Sequence, residues 1–369
     1  MYTLKTSVNF LSRLLLFSLL IVSNLILNGC DKNKALETRG FETDKDEIVI
    51  GFAMDTLVHE RWLRDRDIFV ARANELGAKV IVQTANSDSV EQEKQVQYLF
   101  EQNIDVLVLV PNDADKAANI VRAAKSRGVK VISYDRLVKN SDADLYISFD
   151  NSKVGELMGQ AALEKAPEGN YLLLNGSKSD NNSFLFSEGY KKELEKGINN
   201  GKIEIVGETW INNWLYEDAF KFIEESFKKG TKIDAIIAAN DTLAGAALNS
   251  LAERRLAGKV TVVGHDADLD GCQRVVEGTQ YATVFKPIDK IAKTAAEYAI
   301  SLAKGQSVET NYTIFDGKYE VPYYKIPPVL VKKGNMKEVI VDSGFHKLED
   351  VYMNVAKSQW PTRNDSTEK

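Results

Sequence analysis

The sequence predicts an α/β fold with parallel sheets, in about two domains, on three observations. From Ile48 onward, short apolar runs, polar turns and longer stretches with helical spacing follow one another, the order of βαβα units. Most of the apolar runs are hydrophobic throughout, as strands covered on both faces are. After the first 29 residues about 340 remain, enough for two cores at roughly 150 residues per domain.

Taken in order, the candidate strands are 48–53, 80–83, 106–110, 129–133, 146–148, 171–174, 203–206, 235–239, 260–263 and 282–285, typified by VLVLV at 106–110 and AIIAA at 235–239. Candidate helices occupy 59–76, 88–102, 114–127, 152–165, 183–198, 216–229, 241–256, 268–277 and 287–304. Gly77, Gly128, Gly230 and Gly305 stand where such helices should stop, because glycine takes the left-handed closing position without strain.

Lys5 and Arg13 precede an uncharged run of 14 residues, 14–27 (LLLFSLLIVSNLIL). A membrane span needs about 20 apolar residues, so 1–29 read as a signal peptide. The run ends in Leu27-Asn28-Gly29-Cys30, which resembles the bacterial lipobox, where cleavage frees the cysteine thiol to carry lipid. An uncleaved anchor with an incidental cysteine is the alternative. Residues 31–46 are polar and charge-rich, so 30–46 are expected to tether a body starting near Glu47 to the outer face of the cell membrane.

Composition narrows the function. Apolar residues make up 44% and charged residues 27%, a globular balance that excludes a disordered chain. A net charge of −6 provides no basic footprint for nucleic acid. With Cys30 committed to lipid, Cys272 has no partner for an internal disulfide, and His59, His265 and His346 offer little for a zinc site. No GxGxxG after a strand, Walker loop, GxSxG or CxxC occurs, so the chain is expected to be neither an enzyme nor a cofactor carrier. Asp266 to Glu277 matches the spacing of an EF-hand loop, but a β-branched run precedes it where a helix belongs; Asp268 reads as a helix cap, and no metal is expected.

Several polar residues follow strands directly: Asp135 and Arg136, Asn240 and Asp241, His265 and Asp266, and Lys286. In open parallel sheets these positions rim the ligand crevice; helix N-capping is the competing reading. Carboxylates, amides, guanidiniums and an ammonium suit a monosaccharide, whose hydroxyls both donate and accept. A pyranose also lays its C–H face on aromatic rings. Trp214 is the expected platform. Trp210 is expected in the core, and Trp62 reads either as platform or as part of an apolar stripe with Phe69, Ala73 and Leu76.

ERWLRDRDIF at 60–69, YDR at 134–136, YISFDNSKVGEL at 146–157, DNN at 180–182, Trp210 with Trp214, AAND at 238–241, DADL at 266–269, VFKP at 284–287 and DSGFHK at 342–347 carry a resemblance over 47–350. The chain resembles the D-xylose-binding proteins of bacterial ABC importers, in the type I periplasmic-binding-protein superfamily. The resemblance implies two Rossmann-like lobes with parallel sheets joined by three crossovers: 47–149 plus 285–314, and 150–284 plus 315–350, with 351–369 a polar tail. The crossovers fall near 149–151, 283–286 and 314–317. The sugar contacts it implies are Arg61, Trp62, Asp135, Arg136, Asp180, Asn182, Trp214, Asn240, Asp266 and Lys286. His265 stands where the pattern has Gln, and Ser187 where a basic residue is common.

Two partners fit such a tethered xylose binder: an ABC permease that receives the sugar, or a sensor histidine kinase told of occupancy. A cytoplasmic repressor of the same fold is disfavoured, because 1–46 hold an export signal and no helix-turn-helix.

Overall fold

A computed structural model describes residues 47–361. The expected signal peptide, Cys30, the tether and residues 362–369 lie outside the described residues.

The apolar runs form two sheets. The first contains β1 (Val49–Met54), β2 (Lys79–Thr84), β3 (Val106–Leu109), β4 (Lys130–Tyr134), β5 (Leu145–Phe149), β11 (Tyr312–Phe315) and β12 (Glu320–Ile326), in the order β11-β12-β5-β4-β3-β1-β2. The second contains β6 (Gly169–Asn175), β7 (Ile203–Trp210), β8 (Ala235–Ala238), β9 (Thr261–Val263), β10 (Ala282–Phe285) and β13 (Val329–Lys332), in the order β13-β10-β9-β8-β6-β7. Each is parallel except for one antiparallel edge pair, β11 with β12 and β10 with β13. The central strands β3 and β8 are buried along their whole length, which is why they read as unbroken apolar runs.

Helices cover both faces. The first lobe carries α1 (Glu60–Glu75), α2 (Ser89–Glu101) and α3 (Ala118–Lys125). The second carries α4 (Asn151–Lys165), α5 (Asn181–Asn199), α6 (Tyr216–Lys228), α7 (Asp241–Glu253) and α8 (Leu269–Glu277). Helix α9 (Ile288–Ala303) follows a strand of the second sheet yet packs on α1 and on β3 to β5 of the first. The chain therefore crosses between lobes at Asp150 and again at Lys286–Pro287.

The third crossing lies elsewhere than the sequence suggests. Residues 314–317 run from the end of β11 into a hairpin turn, in which Gly317 takes φ 108° and Asp316 accepts from the backbone N–H groups of Ser141, Asp142, Lys318 and Tyr319. Strand β12 then runs parallel to β5, Tyr323 opposite Tyr146, so the first lobe extends to Ile326 and the crossing is Pro327–Pro328. The polar tail is also shorter than expected. A short helix α10 (Leu348–Val351) packs on α8, Val351 and Tyr352 are buried in an apolar cluster with Val275 and Phe285, and Trp360 rests against that cluster.

Helices α4 and α5 cross closely because glycines remove side chains at the contact. A Cβ on Gly155 would lie 2.2 Å from the carbonyl oxygen of Phe186, and one on Gly189 2.4 Å from that of Ser152. Backbone cannot yield as a side-chain tip can. Gly155→Ala is therefore expected to lower stability by about 1–3 kcal/mol, as overpacking does, despite alanine's better helix propensity. Urea unfolding of the two proteins checks this; an unchanged or higher midpoint would mean that the helices separate freely.

Candidate functional site

The carboxyl ends of both sheets face one another across a cleft, and the residues just beyond them enclose a cavity of about 340 Å³. It is lined by His59, Arg61, Trp62, Asp135, Arg136, Asp180, Asn182, Phe186, Trp214, Asn240, His265, Asp266 and Lys286. All ten contacts implied by the sequence are brought together here. Of the remaining strand-end residues, His265 joins them. Asp241 does not: it is fully buried behind the cavity, where its carboxylate accepts from Gln280, Thr283 and the backbone N–H of Asp268.

Two guanidinium groups organise the charges. Arg61, on the first turn of α1, donates to Asp65 at 3.2 Å and to Asp135 at 2.7 Å, and lies 3.7 Å from Asp266 of the second lobe. Arg136 donates to Asp55 at 2.6 Å and pairs at 2.8 Å with Asp180 across the cleft. Lys286, at the second crossover, lies 2.9 Å from Asp266 and near the rings of Phe149 and Phe186. Arg61, Arg136 and Lys286 thus face Asp55, Asp65, Asp135, Asp180 and Asp266, and every cation is taken.

Burial disfavours each of these charges, and pairing decides the outcome. Burial would raise the Asp135 carboxyl, but Arg61 and Lys286 hold it below its ordinary range. The same holds for Asp266, where burial is outweighed by Lys286 and Arg61. For Asp65 and Asp180, burial wins over Arg61 and Arg136 respectively, and both are raised. Burial pushes His265 down to about 3, helped by Lys286 and Arg61 against the pull of Asp266, so its imidazole is neutral.

Capping and lining prove to be compatible readings. Asp180 caps α5 with Oδ1, accepting from the Asn182 N–H at 2.9 Å, while Oδ2 faces Arg136. Asn240 caps α7 through Oδ1 and the Leu243 N–H. Asn182 donates to the Asp135 carbonyl and carboxylate from the other lobe, at 3.1 and 3.2 Å.

Among the tryptophans, Trp214 is buried at the cavity wall, edge-on to His265. Trp62 satisfies both of its readings: it lines the cavity and packs in the cluster of Phe69 and Ala73, although Leu76 stays exposed. Trp210 is not core. It ends β7 at the lobe surface, half-buried against Phe184 and Lys178, because strand β7 runs four residues further than its apolar run. Ser187 is buried on α5 and does not line the cavity. The calcium-like stretch is a turn followed by α8, with Asp268 at the cap position but making no side-chain capping bond.

Sequence reasoning missed three contributors. Asp55 follows β1 directly and obeys the same strand-end rule as the others. His59 stands at the N-cap position of α1. Phe186 lies one helical turn after Asn182, a spacing visible only once Asn182 is placed on a helix.

A model of the periplasmic binding protein domain matches residues 50–307. The chain belongs to that family. It is 44% identical over 307 residues to a D-xylose-binding periplasmic protein of Haemophilus influenzae, covering 83% of this chain and 92% of the relative. To the protein of the same description from Escherichia coli it is 42% identical over 327 residues, covering 88% and 98%. A carbohydrate transporter solute-binding protein of Chloroflexus aurantiacus, solved with D-glucose, superposes with a TM-score of 0.78 at 30% identity, over 82% of this chain and 98% of that one. The two-lobed α/β architecture is shared with that solved relative.

The neutral His265 makes stability depend on pH. The unfolded imidazole, with an ordinary value of 6.5, binds a proton that the folded one refuses until about pH 3. Stability should therefore rise with pH across this window and be lost as pH falls from 6.5. Between pH 7 and pH 5 the wild type is expected to lose about 2 kcal/mol more than His265→Asn, whose amide does not titrate. Urea midpoints of both proteins at the two pH values measure the difference, and parallel losses would contradict it.

Proposed function

We propose that this protein binds D-xylose, or a closely related neutral monosaccharide, between its lobes and delivers it to an ABC importer from the outer face of the membrane. One observation carries the reading: every buried cation in the cleft is already paired with a carboxylate, in a cluster where carboxyls outnumber cations. An anionic ligand finds no free cation there. A neutral polyol finds acceptors on Asp135, Asp180 and Asp266, donors on Arg61, Arg136, Asn240 and Lys286, and the apolar rings of Trp62, Phe186 and Trp214. D-xylose is preferred because two relatives above 40% identity bear its name, and delivery is preferred to signalling because the solved relative is described as a transporter protein. Tethering through Cys30 rests on the Leu27-Asn28-Gly29-Cys30 motif.

Calorimetric titration of refolded protein against D-xylose, D-ribose, D-glucose and D-glucuronate tests the reading. D-xylose should bind most tightly and D-glucuronate not at all; no heat with any neutral sugar would overturn it. Asp135→Ala should weaken D-xylose binding by about tenfold to a hundredfold, or about 1.5–3 kcal/mol, the worth of a hydrogen bond to a charged group. Unchanged affinity in a folded variant removes Asp135 from the contacts.

For the anchor, mass spectrometry of protein extracted from membranes should find a diacylglyceryl group on Cys30 at the new N-terminus. An unmodified thiol there would overturn the tether.

A further inference from the structure

The charged groups of the cavity are held in ion pairs, Asp266 Oδ1 among them without a hydrogen bond, but two neutral atoms beside them have no partner at all. Trp214 Nε1 and His265 Nδ1 are buried and make no hydrogen bond within the protein, and both residues line the cavity. The two rings are neighbours, with centroids 6.4 Å apart and planes at 61°. The imidazole also packs on Phe186, with ring centroids 4.6 Å apart.

The tautomer follows from what surrounds the ring. His265 Nε2 is 3.3 Å from Asp266 Oδ1 without the alignment of a hydrogen bond, yet a lone pair held that close to an ionised carboxylate would be repelled, so the proton sits on Nε2. The ring is neutral, and Nδ1 therefore presents a lone pair. Trp214 Nε1 can only donate. A donor and an acceptor on neighbouring rings of one cavity wall, both shielded from water, suit hydroxyl groups, which both give and take hydrogen bonds.

We propose that His265 is a specificity-determining residue of the cleft: its Nδ1 accepts the proton of one ligand hydroxyl, and Trp214 Nε1 donates to the oxygen of that hydroxyl or of the adjacent one. The inference rests on the sugar-binding reading above. It explains how a site built of charge pairs can read a single position of a neutral ring. A ligand without that hydroxyl leaves the Nδ1 lone pair buried and unpaired, which costs more than the loss of a contact in water.

The test is calorimetric titration of wild type, His265→Asn and His265→Leu with D-xylose and its 2-, 3- and 4-monodeoxy derivatives. Asparagine keeps an acceptor close to the Nδ1 position, whereas leucine fills similar volume with none. In the wild type, one deoxy position should weaken binding about tenfold or more. That penalty should persist in His265→Asn and nearly vanish in His265→Leu, while penalties at the other positions stay as they were. A full penalty at every position in His265→Leu would overturn the assignment. Should His265→Leu fail to fold by circular dichroism, Trp214→Phe decides: the penalty must shrink at the same or the adjacent hydroxyl, and an unchanged profile would overturn the proposal. Wild type that binds D-xylose with flat deoxy penalties refutes only the role of His265. Wild type that binds no neutral sugar refutes the sugar-binding reading and this assignment with it.

Discussion

The cleft depends on two guanidinium groups that belong to one lobe and pair with carboxylates of both. Arg61 holds Asp65 and Asp135 on its own side and approaches Asp266 on the other; Arg136 holds Asp55 and reaches Asp180. Removing such charges from water costs several kcal/mol per ion, and pairing repays that cost only in good geometry. The network is thus a poor source of stability and a good source of orientation. The contacts of Arg136 with Asp180 and of Arg61 with Asp266 join the two lobes across the cleft. A ligand that contacts both lobes can then tip the population with modest binding energy.

Orientation has a backbone cost as well. Asp135, Trp214, Asp266 and Ala267 all have left-handed φ values, 60°, 58°, 98° and 55°, a region non-glycine residues avoid. Strain of this kind persists only where the surroundings over-determine the conformation. The Asp135 carbonyl accepts from Ser148, Tyr146 and Asn182. Ala267 is held from both sides, its N–H by Thr283 Oγ1 at 3.1 Å and its carbonyl by His346 Nε2 at 2.8 Å. The C-terminal stretch around His346 is thereby a brace for Asp266, and the neighbouring Phe345 carbonyl, which accepts from Arg64, ties the brace to α1 of the first lobe.

These supports explain what the sequence could and could not disclose. The parallel strands were legible because burial on both faces forces unbroken apolar runs, as in β3 and β8. The cleft residues were legible because sheet topology puts strand ends at the crevice. Strands β11 to β13 were not: β11 is a short, mostly exposed run, YTIF at Tyr312–Phe315, β12 and β13 mix buried with exposed positions, and nothing local marks the edge of a sheet. The third crossing was misplaced for the same reason: Asp316-Gly317 is good turn chemistry, and only pairing of β12 with β5 reveals that the chain turns back into the same lobe. The role of His346 was illegible because its partner lies 79 residues away.

The capping reading and the binding reading of the strand-end residues looked like rivals in the sequence, and the geometry shows why both hold. A strand end in a parallel sheet is followed by a helix start, so the residue that faces the cleft is also the one beside the free N–H groups of that helix. Asp180 serves both with its two oxygens, and Asn240 caps α7 through Oδ1 while lining the cavity. The amino termini of α1, α5 and α7 consequently converge on the cavity, adding partial positive charge where the acidic side chains would otherwise dominate. A cleft assembled this way holds electron-rich oxygens without offering a free cation, and hydroxyl groups satisfy both conditions while carboxylates and phosphates satisfy only the first.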